Sequence, residues 1–312
     1  MSGHLLTLGE TMGLFTATTS GASSPYFRLG IGGAETNVAI GVTRLGGSAA
    51  WVGRVGADLV GDLVLRELRA EGVETHSVTD PNAATGVMVK YRPIDPITRV
   101  NYHRASSAGS RLRPADIDPQ LVETASIVHV TGITPALSDT AASAIDHIID
   151  LAVDYNVLVS FDINHRPSLW TDRSPSTVYR TIIDRADIVF AGVDEARLLT
   201  EGDSPSALAQ NLAALGPTQV LIKLGADGCA ARIHGEELLV PALNITPVDT
   251  VGAGDAFAAG YLADLMQGVA PRPRLVTATQ AGAFACLGAG DWESFPHREE
   301  LALLDGGDPV IR

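Results

Sequence analysis

The chain has 312 residues, 46% of them hydrophobic, and a formal net charge of -14. That length and apolar content describe a folded protein with a large core, in one α/β domain or two, while the acidic balance excludes a nucleic-acid surface, which needs a basic footprint. No apolar run reaches membrane-span length and the N-terminus lacks a basic segment, an apolar stretch and a cleavage site, so a cytosolic location without a membrane partner is expected.

In chain order, His4 to Gly9 reads as the first buried strand. Leu8-Gly9-Glu10-Thr11-Met12-Gly13 follows it where a dinucleotide site would need Gly-x-Gly-x-x-Gly, so an oxidoreductase of that type is disfavoured. Leu14 to Ile31 alternates polar and apolar residues with aromatics and no helical period. Gly32 and Gly33 then make a turn before a helix expected to begin near Asn37. Ala49 to Val55 is a second buried strand, and Gly86 to Arg104 alternates again around a turn at Asp95-Pro96. These two alternating regions, within about 11–31 and 86–105, read as antiparallel strands outside the main sheet, either a lid or ordinary edge hairpins.

Further along, Ile127 to Gly132, Val157 to Asn164, Asp187 to Ala191 and Val220 to Gly225 are short apolar runs, several ending in glycine or a polar residue. Strands alternating with helical patterns predict βαβ units and a largely parallel sheet, with ligands at the C-terminal strand ends. Ala141, Ala144, Ile145, Ile148 and Ala152 mark one core-facing helix stripe, and Val276, Ala283 and Leu287 suggest another. Cys229 and Cys286 have no metal-ligand spacing and read as ordinary buried thiols. With no repeat, low-complexity segment or Ser/Gly linker, a two-domain split is not expected.

The only lysines are Lys90 and Lys223, against twenty arginines. Neither follows a P-loop glycine pattern, so backbone amides and arginines must hold any phosphate. The place for it is Asp249-Thr250-Val251-Gly252-Ala253-Gly254-Asp255-Ala256-Phe257. Gly252 and Gly254 carry no Cβ and can turn successive N–H groups into one concavity, and the helix expected from Asp255 onward points its positive dipole end there. Asp255 reads either as a plain N-cap or as a base beside a bound anion.

Together with Gly32-Gly33-Ala34-Glu35-Thr36-Asn37-Val38-Ala39 near the N-terminus, that stretch resembles the two signatures of the ribokinase-like (PfkB) carbohydrate kinases, a likeness spanning nearly the whole chain. Lys223-Leu224-Gly225-Ala226-Asp227-Gly228 is similar to the nucleotide-binding turn of the family. Within it, Tyr102-His103-Arg104, the run Phe161-Asp162-Ile163-Asn164-His165-Arg166-Pro167-Ser168-Leu169-Trp170, and Gly290-Asp291-Trp292-Glu293 look most like 2-keto-3-deoxygluconate kinases. The resemblance implies a single kinase domain over 1–312: a three-layer α/β/α Rossmann-like core with a small β-sheet lid. It implies ATP and Mg2+ as cofactors, an alcohol group as acceptor, and room for a monovalent cation such as K+ near Asp249.

Carried over residue by residue, the resemblance makes Asp255 the general base, with ordinary carboxylate acidity sufficient, and the Gly252, Ala253 and Gly254 amides the phosphoryl cradle. Gly33, Ala34, Asn37, Met88, Tyr102, Arg104, Arg166 and Asp291 would bind the sugar acid, whose carboxylate suits a planar guanidinium. Asn164, Arg166, Lys223, Gly225, Asp227 and Gly228 would line the ATP side, and Glu195 would help organise the metal indirectly. Two positions depart from the family pattern. Gly192 stands where many relatives have asparagine, which bears on the metal arrangement, and Met88 stands where a tyrosine faces the sugar acid, which bears on the epimer preferred. A neutral sugar such as fructose or ribose is the alternative acceptor, and a catalytically silent sugar-binding protein the alternative class. The lid is expected to mediate a homodimer or larger homo-oligomer.

Overall fold

The computed structural model describes residues 3–21, 26–94, 97–171 and 173–305. Its strands are β1 (His4–Leu8), β2 (Met12–Ala17), β3 (Phe27–Gly32), β4 (Ala49–Gly56), β5 (Glu74–Asp80), β6 (Val87–Ile94), β7 (Ile97–His103), β8 (Ala125–Thr131), β9 (Leu158–Asp162), β10 (Ile188–Gly192), β11 (Gln219–Lys223), β12 (Cys229–Ile233) and β13 (Glu236–Val240). The helices are α1 (Ala34–Arg44), α2 (Leu59–Ala70), α3 (Pro119–Glu123), α4 (Thr134–Leu137), α5 (Asp139–Asp154), α6 (Pro175–Ile183), α7 (Val193–Ala196), α8 (Pro205–Ala213), α9 (Ala253–Met266) and α10 (Pro271–Ala285).

Nine strands form the main sheet in the order β13-β12-β11-β10-β9-β8-β1-β4-β5. β5 through β11 in that row run parallel, and β12 and β13 extend the edge antiparallel. The parallel strands carry apolar residues on both faces because helices cover both. Leu5, Trp51, Phe190 and Leu221 pack against α1, α9 and α10, whereas Leu6, Val128, Phe161 and Val220 pack against α5, α6 and α8. Each such fully buried side chain contributes roughly 1.5–3 kcal/mol. From β1 in mid-sheet the chain leaves toward β5 on one side and returns toward β13 on the other. The crevice created at this reversal opens at the C-terminal ends of β1 and β8. Among the described residues no helix is long and apolar enough to cross a membrane.

The lid is a separate four-stranded sheet, β3-β2-β6-β7. β2 and β3 pair antiparallel, as do β6 and β7, but β2 and β6 are parallel, which corrects the expectation of an antiparallel lid. Two hairpins far apart in sequence lie side by side, and neighbouring hairpins need not alternate direction. Met12, Leu14 and Met88 form a small apolar cluster beneath it, with Val100 against them. Its other face leaves Phe27, Leu29 and Ile97 exposed. The expected turn at Asp95-Pro96 lies outside the described residues.

Several boundaries differ from the sequence reading. α1 begins at Ala34 rather than near Asn37, with Gly33 at its cap position. α10 buries Leu275, Ala278, Ala281 and Ala285, while Val276 and Leu287 are 40% and 39% exposed. The true stripe is made mostly of alanines, which carry less hydrophobic signal than the larger side chains beside them. β5 and β13 went unrecognised because edge strands alternate with exposed charges instead of running apolar; β12, between β11 and β13, is short, buried and rich in alanine, which carries little strand signal.

Candidate active site

The Gly252 turn meets the strand ends of the crevice. Gly252 has φ 81, and a Cβ placed on it would come 1.9 Å from the carbonyl oxygen of Asp291, so backbone conformation and space both demand glycine. α9 starts at Ala253 with Gly252 as its cap, so Asp255 is its third residue and not an N-cap. Gly254 is helical rather than left-handed. Ala253 N–H donates to Thr250 O at 3.3 Å, while the N–H groups of Gly252 and Gly254 have no partner among the described residues. These two donors and the helix dipole give an anion its place.

Asp255 lies on the floor of a cavity of about 270 Å³. Asn37 Nδ2, from the first turn of α1, donates to its Oδ2 at 2.8 Å. Burial pushes the Asp255 carboxyl up to about 7; the Asn37 hydrogen bond and the charges of Lys223 and Arg166 pull against it, and the negative charge of Asp162 adds to it. Ordinary acidity would suffice for a base at this position, and burial places the carboxyl above it.

The same cavity brings together Gly33, Ala34, Asn37, Met88, Tyr102, Arg104, Asn164, Arg166, Lys223, Gly252, Gly254, Asp255 and Asp291. Gly33 is extended, and a Cβ there would stand 2.6 Å from the Glu10 carbonyl, so the glycine lets the backbone close on the cavity. Asn164 holds φ 38, rare for a non-glycine residue, with its N–H on Asp162 Oδ1 at 3.2 Å. Such strain persists where the surroundings fix it, and here it aims the Asn164 to Arg166 segment at the cavity. Arg166 has no acidic partner among the described residues. Arg104 differs: Glu10 takes its Nε at 2.7 Å and its Nη2 at 2.5 Å. Tyr102 is 45% exposed with Arg104 over its ring, and Met88 is buried in the lid cluster. Burial pushes Asp291 up to about 6, against the pull of Lys90.

A second cavity of about 480 Å³ adjoins on the far side of the turn, lined by Gly225, Gly228, Ala253, Gly254, Phe257 and Ala283 among others. Thr250, Gly254 and Lys223 line both cavities, so the turn stands between them. Lys223 Nζ bonds Asp162 at 2.9 and 2.7 Å. Burial works against that ammonium, but Asp162 and Glu195 outweigh it and raise its pKa. Asp227 and Glu195 line neither cavity; they face a separate shallow depression beside Lys223. Both Glu195 oxygens accept backbone N–H groups, from His165 at 2.8 Å and Gly192 at 2.6 Å, so Glu195 pins the Asn164 to Arg166 segment and caps α7. Gly192 supplies only that N–H.

Four carboxylates and a lysine escaped the sequence reading as individual residues. Glu10 and Asp162 stand at the ends of β1 and β9, and Glu35 Oε1 accepts the Thr131 and Thr134 hydroxyls at 2.7 Å each. A charged residue closing a buried strand was the available signal for Glu10 and Asp162. Asp249, foreseen only as a neighbour of a monovalent cation, instead faces Lys90 Nζ at 2.6 Å, a pairing across the fold that no local pattern announces. Among the described residues no group of three or more acidic, histidine or cysteine side chains forms a metal cage.

Known proteins resemble the chain over most of its length. A 2-dehydro-3-deoxygluconokinase of Bacillus subtilis (strain 168) is 35% identical over 95% of this chain and 94% of its own length. A probable fructokinase-3 of Arabidopsis thaliana is 32% identical over 85% of this chain and 78% of its own length. The crystal structure of a PfkB protein from Polaromonas sp. JS666 superposes with a TM-score of 0.87 at 34% identity, covering 96% of this chain and 99% of that one. The description of the pfkB family carbohydrate kinases matches residues 3–298, nearly the whole chain, and the chain belongs to that family.

Proposed function

We propose that this protein is a cytosolic ATP-dependent kinase that phosphorylates a hydroxyl of a sugar acid, 2-keto-3-deoxygluconate giving 2-keto-3-deoxy-6-phosphogluconate. The observation that carries the chemistry is Asp255, held by Asn37 at the floor of the first cavity one residue beyond the free Gly254 amide. The sugar occupies the first cavity and the nucleotide the second, so the γ-phosphoryl group lies over the Gly252 to Gly254 turn. Asp255 takes the proton of the acceptor hydroxyl as its oxygen bonds to the γ-phosphorus, and the bond to the β-γ bridging oxygen breaks to release ADP. The amides of Gly252 and Gly254, with Arg166 and Lys223, stabilise charge on the phosphoryl oxygens.

Mg2+ fits this site without an all-protein cage, since it is held largely by nucleotide phosphates and water with one or two carboxylates. Asp162 and Glu195 beside Lys223 are the carboxylates at that end, Glu195 acting chiefly through the backbone it pins. When bound, the ion would neutralise charge on the nucleotide phosphates.

The acidic substrate is favoured by Arg166, a guanidinium in the cavity with no carboxylate partner among the described residues. A neutral hexose is favoured by one contrary observation, the commitment of Arg104 to Glu10. Coupled ADP-release assays across sugar acids and neutral sugars decide between them. Arg166→Ala should raise the KM for the acid at least tenfold, since a hydrogen bond to a charged group contributes about 1.5–3 kcal/mol. Arg104→Ala should raise it less, because its charge is shared. Preferred turnover of fructose or ribose, with KM unchanged in Arg166→Ala, would overturn the sugar-acid reading.

A further inference from the structure

Lys90 is the one ammonium that the lid sends into the core, and phosphoryl transfer as described does not use it. It projects from β6, is 3% exposed, and contacts Asp249 Oδ2 at 2.6 Å, the Gly290 carbonyl at 2.7 Å and Asp291 Oδ1 at 3.5 Å. Each partner bears on the anion turn. Asp249 Oδ1 accepts the Val251 N–H at 3.2 Å, which sets how the chain enters the turn, and the Asp291 carbonyl backs directly onto Gly252. A buried carboxylate has to be answered by a cation, and one positive charge here answers two.

We propose that Lys90 is a tethered cation that positions the Gly252 to Gly254 turn from the lid, so that the turn is organised without a dissolved monovalent cation beside Asp249. This rests on the phosphoryl-transfer reading for its effect on rate, but not for its effect on cation binding. Lys90 is a positioning residue, acting through Asp249 and Asp291 on amides it does not touch. It also makes the turn respond to the lid, because β6 cannot shift without moving the charge.

The test compares wild type and Lys90→Met in potassium chloride and in tetramethylammonium chloride at matched ionic strength. Wild type should show the same kcat and Tm in both salts. Lys90→Met should lose roughly 10²-fold in kcat, the scale of one misplaced oxyanion donor, with a smaller change in the KM of either substrate. Potassium, small enough to enter beside Asp249, should restore at least tenfold of that loss and raise the Tm of the variant; tetramethylammonium should do neither. If Lys90→Met does not fold, the double variant Lys90→Met/Asp249→Asn, which removes both charges, should recover Tm yet stay slow and ignore potassium. Wild type that needs potassium, a variant with wild-type kcat, or a loss that potassium leaves untouched would each overturn the proposal. The salt-dependent Tm reads out even if the acceptor is not a sugar acid, which separates failure of this inference from failure of the proposed function.

Discussion

Asp255 shows how much one residue owes to its surroundings. The motif around it made a base or a cap legible, because glycines followed by Asp and a run of small residues form a strong local pattern, but its acidity depends on groups that arrive from β9, β11 and α1. Burial and the nearby Asp162 charge lift it to about 7, against the pull of Asn37, Lys223 and Arg166. A base with that value predicts a kcat/KM that rises tenfold per pH unit below about 7 and levels off above it, since only the ionised form accepts the proton. Asp255→Asn, whose amide oxygen can still accept from Asn37, should lose at least ~10²-fold in kcat and that pH limb with it. A wild-type profile flat from pH 5 to 8 would show that the carboxylate is already ionised in the acid range. Arg104 was less legible than Asp255. Its place on the cavity wall followed from the sequence, whereas its Glu10 partner, 94 positions away, is a tertiary fact.

At the level of elements, the parallel strands and the anion turn were readable because doubly covered strands run apolar without a break and left-handed turns call for glycine. Helix faces built of alanine, as in α10, and the parallel contact of β2 with β6 were not, since neither leaves a periodic mark in one segment. The turn itself offers a sharp contrast between its two glycines. Gly252→Ala must place a Cβ at φ 81 against the Asp291 carbonyl, a conflict that strain alone makes worth about 1–3 kcal/mol. It should lower Tm by several degrees and kcat by ~10²-fold or more as the amides leave their line. Gly254→Ala meets only the flexible end of Lys223, at 3.4 Å, so its Tm should stay near wild type in differential scanning fluorimetry even where the extra methyl slows turnover. Equal Tm losses for the two would mean that the turn tolerates or rejects side chains for reasons other than the Asp291 contact.

Across the whole molecule, the cavity around Asp255 holds carboxyl groups whose burial favours the protonated form. Asp255 and Asp291 are pushed up to about 7 and about 6 by burial, and Glu35 is raised by burial against the opposing Thr134 and Thr131 hydroxyls. Elsewhere Asp80 is lowered by the Asn82 N–H and by Arg54, and Asp58 is lowered because the Thr85 and Gly61 N–H groups outweigh its burial. The two sets pull stability in opposite directions. A carboxyl whose folded pKa is raised contributes stability that is complete below its unfolded value and is lost as pH climbs through the folded value; a lowered one contributes above its unfolded value and loses it as pH falls. Stability should therefore decline between pH 4 and pH 7 as the site ionises, and collapse in acid as Asp58 and Asp80 protonate. Asp255→Asn removes one of these raised groups, so its Tm advantage over wild type should be small near pH 4, grow through pH 7 and then stay level. A shift of this size corresponds to a few kcal/mol, about 1.4 per pKa unit, reduced by the lost attraction to Lys223 and Arg166. In a chain of this length that is on the order of 5 °C. Thermal melts of both proteins from pH 4 to pH 8 measure it, and a Tm gap that is constant or shrinks with rising pH would show that Asp255 is ionised at no cost to the fold, contrary to the proposal of a base held near neutrality.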